Sequence, residues 1–143
     1  MKRKLAAVAL LPVLLIGCRT AADRAEAQGR EDAAATLLAD GRTYGDGAVK
    51  TGEAERCINL SLLTQTQVLS DRVIDFQAGS RTYRNVLRND CPRLGFERRI
   101  TYRTFGGQLC TPELIRVLDS SAVPGPGCSL GEFQPIQPPP RNE

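Results

Sequence analysis

The chain has 143 residues, with 19 lysines and arginines, 16 aspartates and glutamates, five cysteines, and no histidine or tryptophan. This length allows one small domain. Because histidine is absent, the commonest general base, the commonest metal ligand and the Ser-His and Cys-His nucleophile pairs are excluded. Three basic residues, Lys2, Arg3 and Lys4, lie in an apparent leader, and the remainder has 16 basic and 16 acidic residues. A neutral chain does not attract nucleic acid electrostatically, so no nucleic-acid partner is expected.

The first 17 residues have the plan of a secretory signal peptide. A basic start is followed by an apolar run over residues 5–16 and by the small residue Gly17. As a helix, about 12 residues span about 18 Å, which is too short for the roughly 30 Å hydrocarbon core. We therefore expect this segment to be cleaved rather than retained as a transmembrane anchor.

The segment Leu15-Ile16-Gly17-Cys18 resembles the lipobox of bacterial lipoproteins. The resemblance implies cleavage before Cys18 and a diacylglycerol, with acyl chains such as palmitate, on its sulfur. Several acyl chains attach a protein stably to a membrane, whereas one chain binds marginally. Arg19 follows the cysteine. In a pattern that resembles the enterobacterial sorting rule for lipoproteins, a residue other than Asp at this position implies the outer membrane, where the protein faces the periplasm. The alternative is an ordinary signal peptide that happens to contain a cysteine.

Composition divides the rest of the chain into three parts. Residues 18–56, the lipidated cysteine and a stretch rich in Ala, Gly and charge, are predicted to be a flexible tether, partly helical or disordered. Residues 57–133 carry the short apolar runs of a folded domain. Residues 134–143 contain Pro135 and three further prolines at 138–140, which predicts an extended, disordered tail.

Short β-branched runs separated by turn residues indicate that the folded domain is all-β. Ser70-Asp71-Arg72 is predicted to close a hairpin, and Ala78-Gly79-Ser80 to turn the chain back. Gly106-Gly107 predicts a further turn, and the run over residues 114–118 is too short and too branched for a confident helix. We expect a disulfide-stapled antiparallel sheet of roughly five to seven strands, curled into a small barrel or sandwich.

Four cysteines follow Cys18: Cys57, Cys91, Cys110 and Cys128. An even number in an exported chain predicts two disulfides. Of the three pairings, we favour Cys91 with Cys110, which flank one strand and its turn, and Cys57 with Cys128, which close the ends of the domain. A four-cysteine zinc site or a thiol-redox role is disfavoured because the spacing contains no C-x-x-C. No metal and no cofactor is expected.

Arginine is the enriched functional group of the folded part. Strand alternation predicts that Arg84 shares a face with Arg88, and Arg99 with Arg103. A guanidinium binds carboxylates and phosphates through two parallel N–H groups. These four residues are therefore a candidate anion-binding strip for lipopolysaccharide, peptidoglycan or an acidic envelope protein. The alternative is a solvated strand face paired with local acids.

Acidic residues near predicted turns offer a second chemistry. Asp71, Asp75, Glu97 and Glu113 are candidates for the paired carboxylates that cleave glycosidic bonds, with peptidoglycan as the polymer at hand. A Ser-Lys pair is disfavoured because Lys50, the only lysine after the leader, lies in the predicted tether. Surface charge is the simpler interpretation of these acids.

Seven short segments, four of which contain a cysteine, follow one another along the folded part: Cys57-Ile58, Val68-Leu69-Ser70-Asp71, Tyr83-Arg84-Asn85-Val86-Leu87, Cys91-Pro92-Arg93-Leu94, Leu109-Cys110, Ile115-Arg116-Val117 and Cys128-Ser129-Leu130-Gly131. This order is similar to a family of small exported bacterial proteins classified only as a domain of unknown function. The resemblance implies structural cysteines and an autonomous domain, and it implies no activity, ligand or catalytic residue. The lipobox departs from the plain signal peptide of that family, so the resemblance does not supply the location.

These patterns favour a lipid-anchored periplasmic protein of the bacterial envelope whose β domain is a non-enzymatic binding module. Its expected partners are the membrane, through the lipid, and an envelope protein, lipopolysaccharide or peptidoglycan. The alternative is a carboxylate-dependent enzyme that acts on cell-wall glycan. Two acids about 5 to 9.5 Å apart in a cleft would favour the enzyme, and a flat arginine face would favour binding.

Overall fold

A computed structural model describes residues 33–104, 106–119 and 123–140. The signal peptide, Cys18 and residues 19–32 of the predicted tether lie outside the described residues, as do residues 141–143 of the predicted tail. The described strands are β1 (Val49–Lys50), β2 (Cys57–Asn59), β3 (Leu63–Val68), β4 (Val73–Ala78), β5 (Arg81–Val86), β6 (Ile100–Tyr102), β7 (Gln108–Cys110), β8 (Leu114–Leu118), β9 (Pro124–Ser129) and β10 (Phe133–Gln137). A 3₁₀ turn (Leu60–Leu62) and a short helix, α1 (Leu94–Glu97), complete them. The all-β prediction is confirmed, with more strands than expected.

Five strands form the main sheet, in the order β1-β10-β5-β4-β3, and every neighbouring pair is antiparallel. Ser70 closes the turn between β3 and β4, because its Oγ accepts hydrogen bonds from the backbone N–H groups of Arg72 and Val73. Gly79 closes the next turn with a φ of 60°, a left-handed conformation that glycine adopts without strain. Both predicted turns of this sheet are confirmed.

Two smaller antiparallel sheets pack on one face of the main sheet. β2 pairs with β7, and β8 lies between β6 and β9. Gly106 and Gly107 both have positive φ and lead the chain into β7, which confirms the turn predicted there. The branched run over residues 114–118 forms strand β8.

The hydrophobic core lies between the main sheet and the two smaller sheets. Ile74 and Phe76 of β4 enter it from the main sheet, and Leu109 and Ile115 enter it from the smaller ones; all four are fully buried. The ring of Phe76 meets that of Phe133 edge to face, with centroids 5.6 Å apart. Since side chains alternate along a strand, Asp75 and Gln77 of β4 and Thr82 and Arg84 of β5 point to the opposite, outer face of the main sheet.

Two disulfides close the domain, and their pairing differs from the predicted one. Cys57 bonds to Cys110, and Cys91 bonds to Cys128. The prediction that all four cysteines form disulfides is confirmed, but the favoured pairing of Cys91 with Cys110 and of Cys57 with Cys128 is wrong. The register of β2 on β7 places Cys57 directly opposite Cys110. That strand pairing joins residues 53 positions apart, so local sequence patterns do not reveal it.

The prediction of a flexible tether is wrong for residues 33–56. This segment folds back over the outer face of the main sheet, where Tyr44 and Ala48 are buried with Ile136. β1 then pairs with β10, and Glu55 pairs with Phe133 further along. The prediction relied on the scarcity of branched apolar residues, whereas this segment is held by small residues and by buried polar contacts.

The prediction of a disordered tail is wrong for residues 134–137, which belong to β10 between β1 and β5. Pro135 lies in this interior strand although it has no N–H to donate. Its carbonyl accepts a hydrogen bond of 3.0 Å from the N–H of Thr51, just beyond the end of β1. The missing donor therefore falls where the neighbouring strand has already ended, which is a position that tolerates proline.

Candidate functional site

Polar side chains cover the outer face of the main sheet and form the candidate site. The strand register places Asp75 of β4 between Gln67 of β3 and Arg84 of β5. It also places Gln77 beside Thr82. These five side chains share one face because they are cross-strand neighbours at alternating positions.

Arg84 is the centre of this face, and its side chain has no exposed surface. Its Nε donates to Oδ1 of Asp75 at 2.9 Å, and its Nη2 donates to Oδ2 at 3.0 Å. This two-bond arrangement between a guanidinium and a carboxylate is the strongest geometry available to an ion pair of side chains. It fixes Arg84 against the neighbouring strand.

The folded-back segment supplies the remaining partners of Arg84. Nη1 donates to the carbonyl of Ala34 at 3.1 Å and to Oδ1 of Asp46 at 2.9 Å, and Nη2 lies 2.8 Å from Oδ2 of Asp46. The guanidinium carbon also lies 4.7 Å from the centre of the Tyr44 ring, within the range of a cation–π contact. Together with the Asp75 bonds, these contacts engage all three nitrogens of the guanidinium.

The three charged groups perturb one another. Burial works against the charged form of Arg84, but hydrogen bonds from the two aspartates outweigh it and raise the pKa of the guanidinium. Burial raises the pKa of the Asp75 carboxyl, and Arg84 offsets this only in part. Burial acts on Asp46 as well, but hydrogen bonds from Arg84 and from the Ala48 N–H prevail and lower the pKa of Asp46.

A groove of about 710 Å³ runs over this cluster, a size that suits a small ligand or a short piece of a polymer. Strands β3, β4 and β5 form its floor, and Asp46 and the proline run at 138–140 form its walls. Its lining is Asp46, Gln65, Gln67, Leu69, Asp75, Gln77, Thr82, Arg84, Pro138, Pro139 and Pro140. Arg84 is the only cation among these described residues.

The free hydrogen-bonding groups of the groove are neutral. Gln65, Gln67 and Gln77 are exposed, and their side-chain amides make no hydrogen bond to another described residue. Each amide carries two donors and an acceptor oxygen, and the half-buried Thr82 adds a hydroxyl. The groove is therefore suited to a ligand that offers both donors and acceptors without net charge.

The predicted arginine strip does not form. Arg84 is buried and fully bonded, whereas Arg88, Arg99 and Arg103 are exposed. β5 ends at Val86, before Arg88, and Arg99 and Arg103 lie just outside β6 in a different sheet. The prediction assumed uninterrupted strands through all four residues, and the strands are shorter than that.

Three of the four carboxylates that the sequence suggested as catalytic candidates bind nearby groups of the protein instead. Asp71 accepts a hydrogen bond of 2.7 Å from the Gly95 N–H, and Glu113 accepts one of 2.6 Å from the Cys110 N–H. Glu97 pairs with Arg93 at the end of α1. Only Asp75 lies in the groove, and its neighbour there is Asp46 rather than Asp71.

Tyr44 and Asp46 were missed because their segment was taken for a tether. Tyr44 is the only aromatic residue between positions 19 and 56, and Asp46 lies between two glycines, Gly45 and Gly47. An aromatic residue followed by a Gly-Asp-Gly turn is an unusual element of a flexible linker, and it was the available signal.

The chain matches no family model, no curated protein and no solved structure. The resemblance of its cysteine contexts to a family of exported bacterial proteins therefore stays a prediction. Among the described residues, no helix is long and apolar enough to cross a bilayer.

Proposed function

We propose that this chain is a lipid-anchored protein of the bacterial envelope whose folded domain binds a ligand without converting it. The anchor is Cys18 of the lipobox-like segment, and the proposed location is the outer membrane, facing the periplasm. Two disulfides are consistent with an oxidising compartment. The polar groove on the main sheet is the proposed binding site.

The observation that supports binding rather than catalysis is the complete use of Arg84 within the protein. Both oxygens of Asp75 and both oxygens of Asp46 contact this one guanidinium. A glycosidase needs one carboxyl free to donate a proton and a second free to attack or to activate water. Neither aspartate is free in this way, and Arg84 is fully buried with every guanidinium nitrogen already bonded within the protein.

The neutral groups of the groove favour one of the three expected partners. The amides of Gln65, Gln67 and Gln77 complement hydroxyl and acetamido groups, which are the groups of the glycan strands of peptidoglycan. Phosphates of lipopolysaccharide would meet two carboxylates and no available cation among the described lining residues. We therefore propose a peptidoglycan glycan strand as the ligand.

Cosedimentation with purified, insoluble peptidoglycan tests this proposal on the mature chain in mild detergent. Changing Gln67→Ala together with Gln77→Ala removes two amides from the groove floor. At about 0.5 to 1.5 kcal/mol for each hydrogen bond, we expect affinity to fall about tenfold. Gln108→Ala is the matched control, because Gln108 is an exposed glutamine of β7, outside the groove lining.

Equal binding by the double variant and by wild type would rule out the groove as the glycan site. Binding to lipopolysaccharide that weakens with salt would instead point to the exposed arginines, because screening acts on exposed charges. In either case the neutral-glycan proposal is wrong.

One observation favours the enzymatic alternative. Asp75 and Asp46 both line the groove, and their pKa values are displaced in opposite directions, as in carboxylate pairs that act as acid and base. An enzyme would release reducing ends from peptidoglycan, and Asp75→Asn would abolish the release. We expect no release from either form.

A further inference from the structure

The two edges of the main sheet differ in how they are protected. β1, at one edge, has only two residues, and one of them is Lys50. β3, at the other edge, has six residues, and β4 is its only partner among the described strands. Short length, lysine and β-bulges all hinder an edge strand from pairing with another chain. β3 is long and has no lysine, and its one bulge lies near its start, between Leu63 and Gln65, so that residues 65–68 form a regular open edge.

The outward backbone groups of β3 are identified by the hydrogen bond at its C-terminal end. The N–H of Leu69 donates to the carbonyl of Val73 at 2.9 Å, which fixes the direction of the backbone groups from Gln65 onward. A β-bulge between Leu63 and Gln65 interrupts the alternation before that point. Backbone groups alternate in direction along an antiparallel strand. The N–H and C=O groups of Thr66 and Val68 therefore point away from β4.

This edge is also uncharged. No Asp, Glu, Lys or Arg occurs from residue 60 to residue 70. A second strand can approach without meeting a like charge, and the neutral strand best suited to it is β3 itself. We propose that β3 pairs antiparallel with β3 of a second copy of this chain, about a twofold axis at Thr66.

The register makes this pairing self-complementary. Thr66 lies opposite the partner's Thr66, and each exchanges backbone hydrogen bonds with the other through the groups that point outward. Gln65 lies opposite the partner's Gln67, so their amides meet on the outer face, where cross-strand hydrogen-bonding pairs are favourable. Both glutamines line the groove, and the grooves of the two copies would meet at the axis. The dimer forms through backbone groups and does not depend on the ligand of the groove.

Mass measurement of the mature chain in mild detergent, with the detergent contribution subtracted, tests the proposal without ligand. One strand pair buries less than the roughly 1,200–2,000 Å² of a standard interface, so we expect a dimer that dissociates on dilution. Thr66→Pro removes an outward N–H and leaves the β4 hydrogen bonds in place, because Thr66 points away from β4. This variant should be monomeric at concentrations where wild type is dimeric.

A charge pair keeps the test decisive if Thr66→Pro fails to fold. In the double variant Gln65→Lys with Gln67→Lys, each substituted position faces a lysine of the other copy. The two repulsive pairs should give a monomer. Gln65→Lys with Gln67→Glu places a lysine opposite a glutamate and should restore the dimer. Gln108→Lys is the control and should leave the dimer unchanged. A wild type that is monomeric at all concentrations, or a dimer that both charge variants retain equally, would overturn the proposal.

Discussion

Arg84 lies directly opposite Asp75 on neighbouring antiparallel strands, and two N–H groups of the one side chain donate to the two carboxylate oxygens of the other. The same guanidinium binds Asp46 and the carbonyl of Ala34 in the folded-back segment. One fully buried side chain thus joins the main sheet to residues 33–50. This contact should dominate the response of the protein to mutation.

Replacing Arg84→Met should destabilise the domain strongly. The change leaves the carboxylates of Asp75 and Asp46 without their cation, and breaking a buried pair on one side costs about 3–5 kcal/mol. The free energy of unfolding from urea titration at pH 7 measures this loss. Arg88→Met is the control, because Arg88 is exposed, and should change stability by less than about 0.5 kcal/mol. Equal losses in the two variants would contradict the central role of Arg84.

Asp46→Asn should loosen the folded-back segment while the core stays intact. The variant keeps the size of the side chain but loses the charge-assisted bonds to Arg84, worth about 1–3 kcal/mol. Amide hydrogen exchange should become faster at Tyr44 and Ala48, which lie on that segment, and stay slow at Phe76 in the core. Unchanged protection at Tyr44 and Ala48 would show that the ion pair does not hold the segment.

Strong acid should loosen the same segment. Hydrogen bonds from the Thr43 side chain and N–H lower the pKa of Asp40 from 3.8 to about 2. A carboxyl whose pKa is lowered in the folded state stabilises that state above its unfolded pKa, and the contribution is lost as pH falls through the folded pKa. The turn formed by residues 40–43 should therefore loosen between pH 4 and pH 2. The carboxyl carbon shift of Asp40 by NMR should titrate near 2, and a midpoint near 3.8 would contradict the hydrogen bonds.

The contribution of Asp75 to stability changes with pH in the opposite direction from that of Asp40. Its pKa is raised by burial, so the folded state binds the proton more readily than the unfolded state does, and the stabilisation that Asp75 contributes is lost as pH rises. In Asp75→Asn this term disappears, and the remaining acid dependence should become steeper. Urea titrations between pH 3 and pH 6 compare the two slopes.

The disulfide pairing predicts different numbers of free thiols in two double variants. Cys57→Ser with Cys110→Ser removes one bridge and leaves no free thiol, at a cost of about 2–5 kcal/mol. Cys57→Ser with Cys128→Ser removes one cysteine from each bridge and should leave two thiols that react with a thiol reagent. Mass mapping of unreduced peptides gives the pairing directly. The reverse pattern of reactivity would contradict the structure.

Cys18→Ser should release the protein from the membrane or leave an uncleaved precursor, because the sulfur is the proposed site of the lipid. Membrane fractionation and the mass of the protein measure both outcomes. Normally processed, membrane-bound protein in this variant would exclude the lipoprotein proposal.

Local features of the main sheet were predictable from the sequence. The turn at Ser70 needs one hydroxyl and two neighbouring N–H groups, and the turn at Gly79 needs one residue that adopts a positive φ. Alternation did not extend as far, because β5 ends at Val86 and so does not carry Arg88 on the face of Arg84. Each of these inferences involves residues only a few positions apart.

The contacts between distant parts of the chain were not predictable from such local patterns. Arg84 is buried because Asp46, 38 positions earlier in the chain, folds back onto it. Cys57 meets Cys110 because β2 pairs with β7, and neither strand carries a signal for its partner. Sequence patterns predicted an accessible strand face at Arg84, and only the tertiary fold shows that another segment covers this face.

The interior position of β10 sets an order for assembly. β10 is the last described strand along the chain, yet β1 and β5, from much earlier in the sequence, flank it. Until residues 133–137 have been synthesised, the hairpins from β3 to β5 can form, but β5 has an open edge and β1 has no partner. Closing the contact between Lys50 and Ile136 brings together distant parts of the chain, and such closures slow folding more than local turns do. A chain that stops before Phe133 would therefore keep the local hairpins and lose the seam that completes the main sheet.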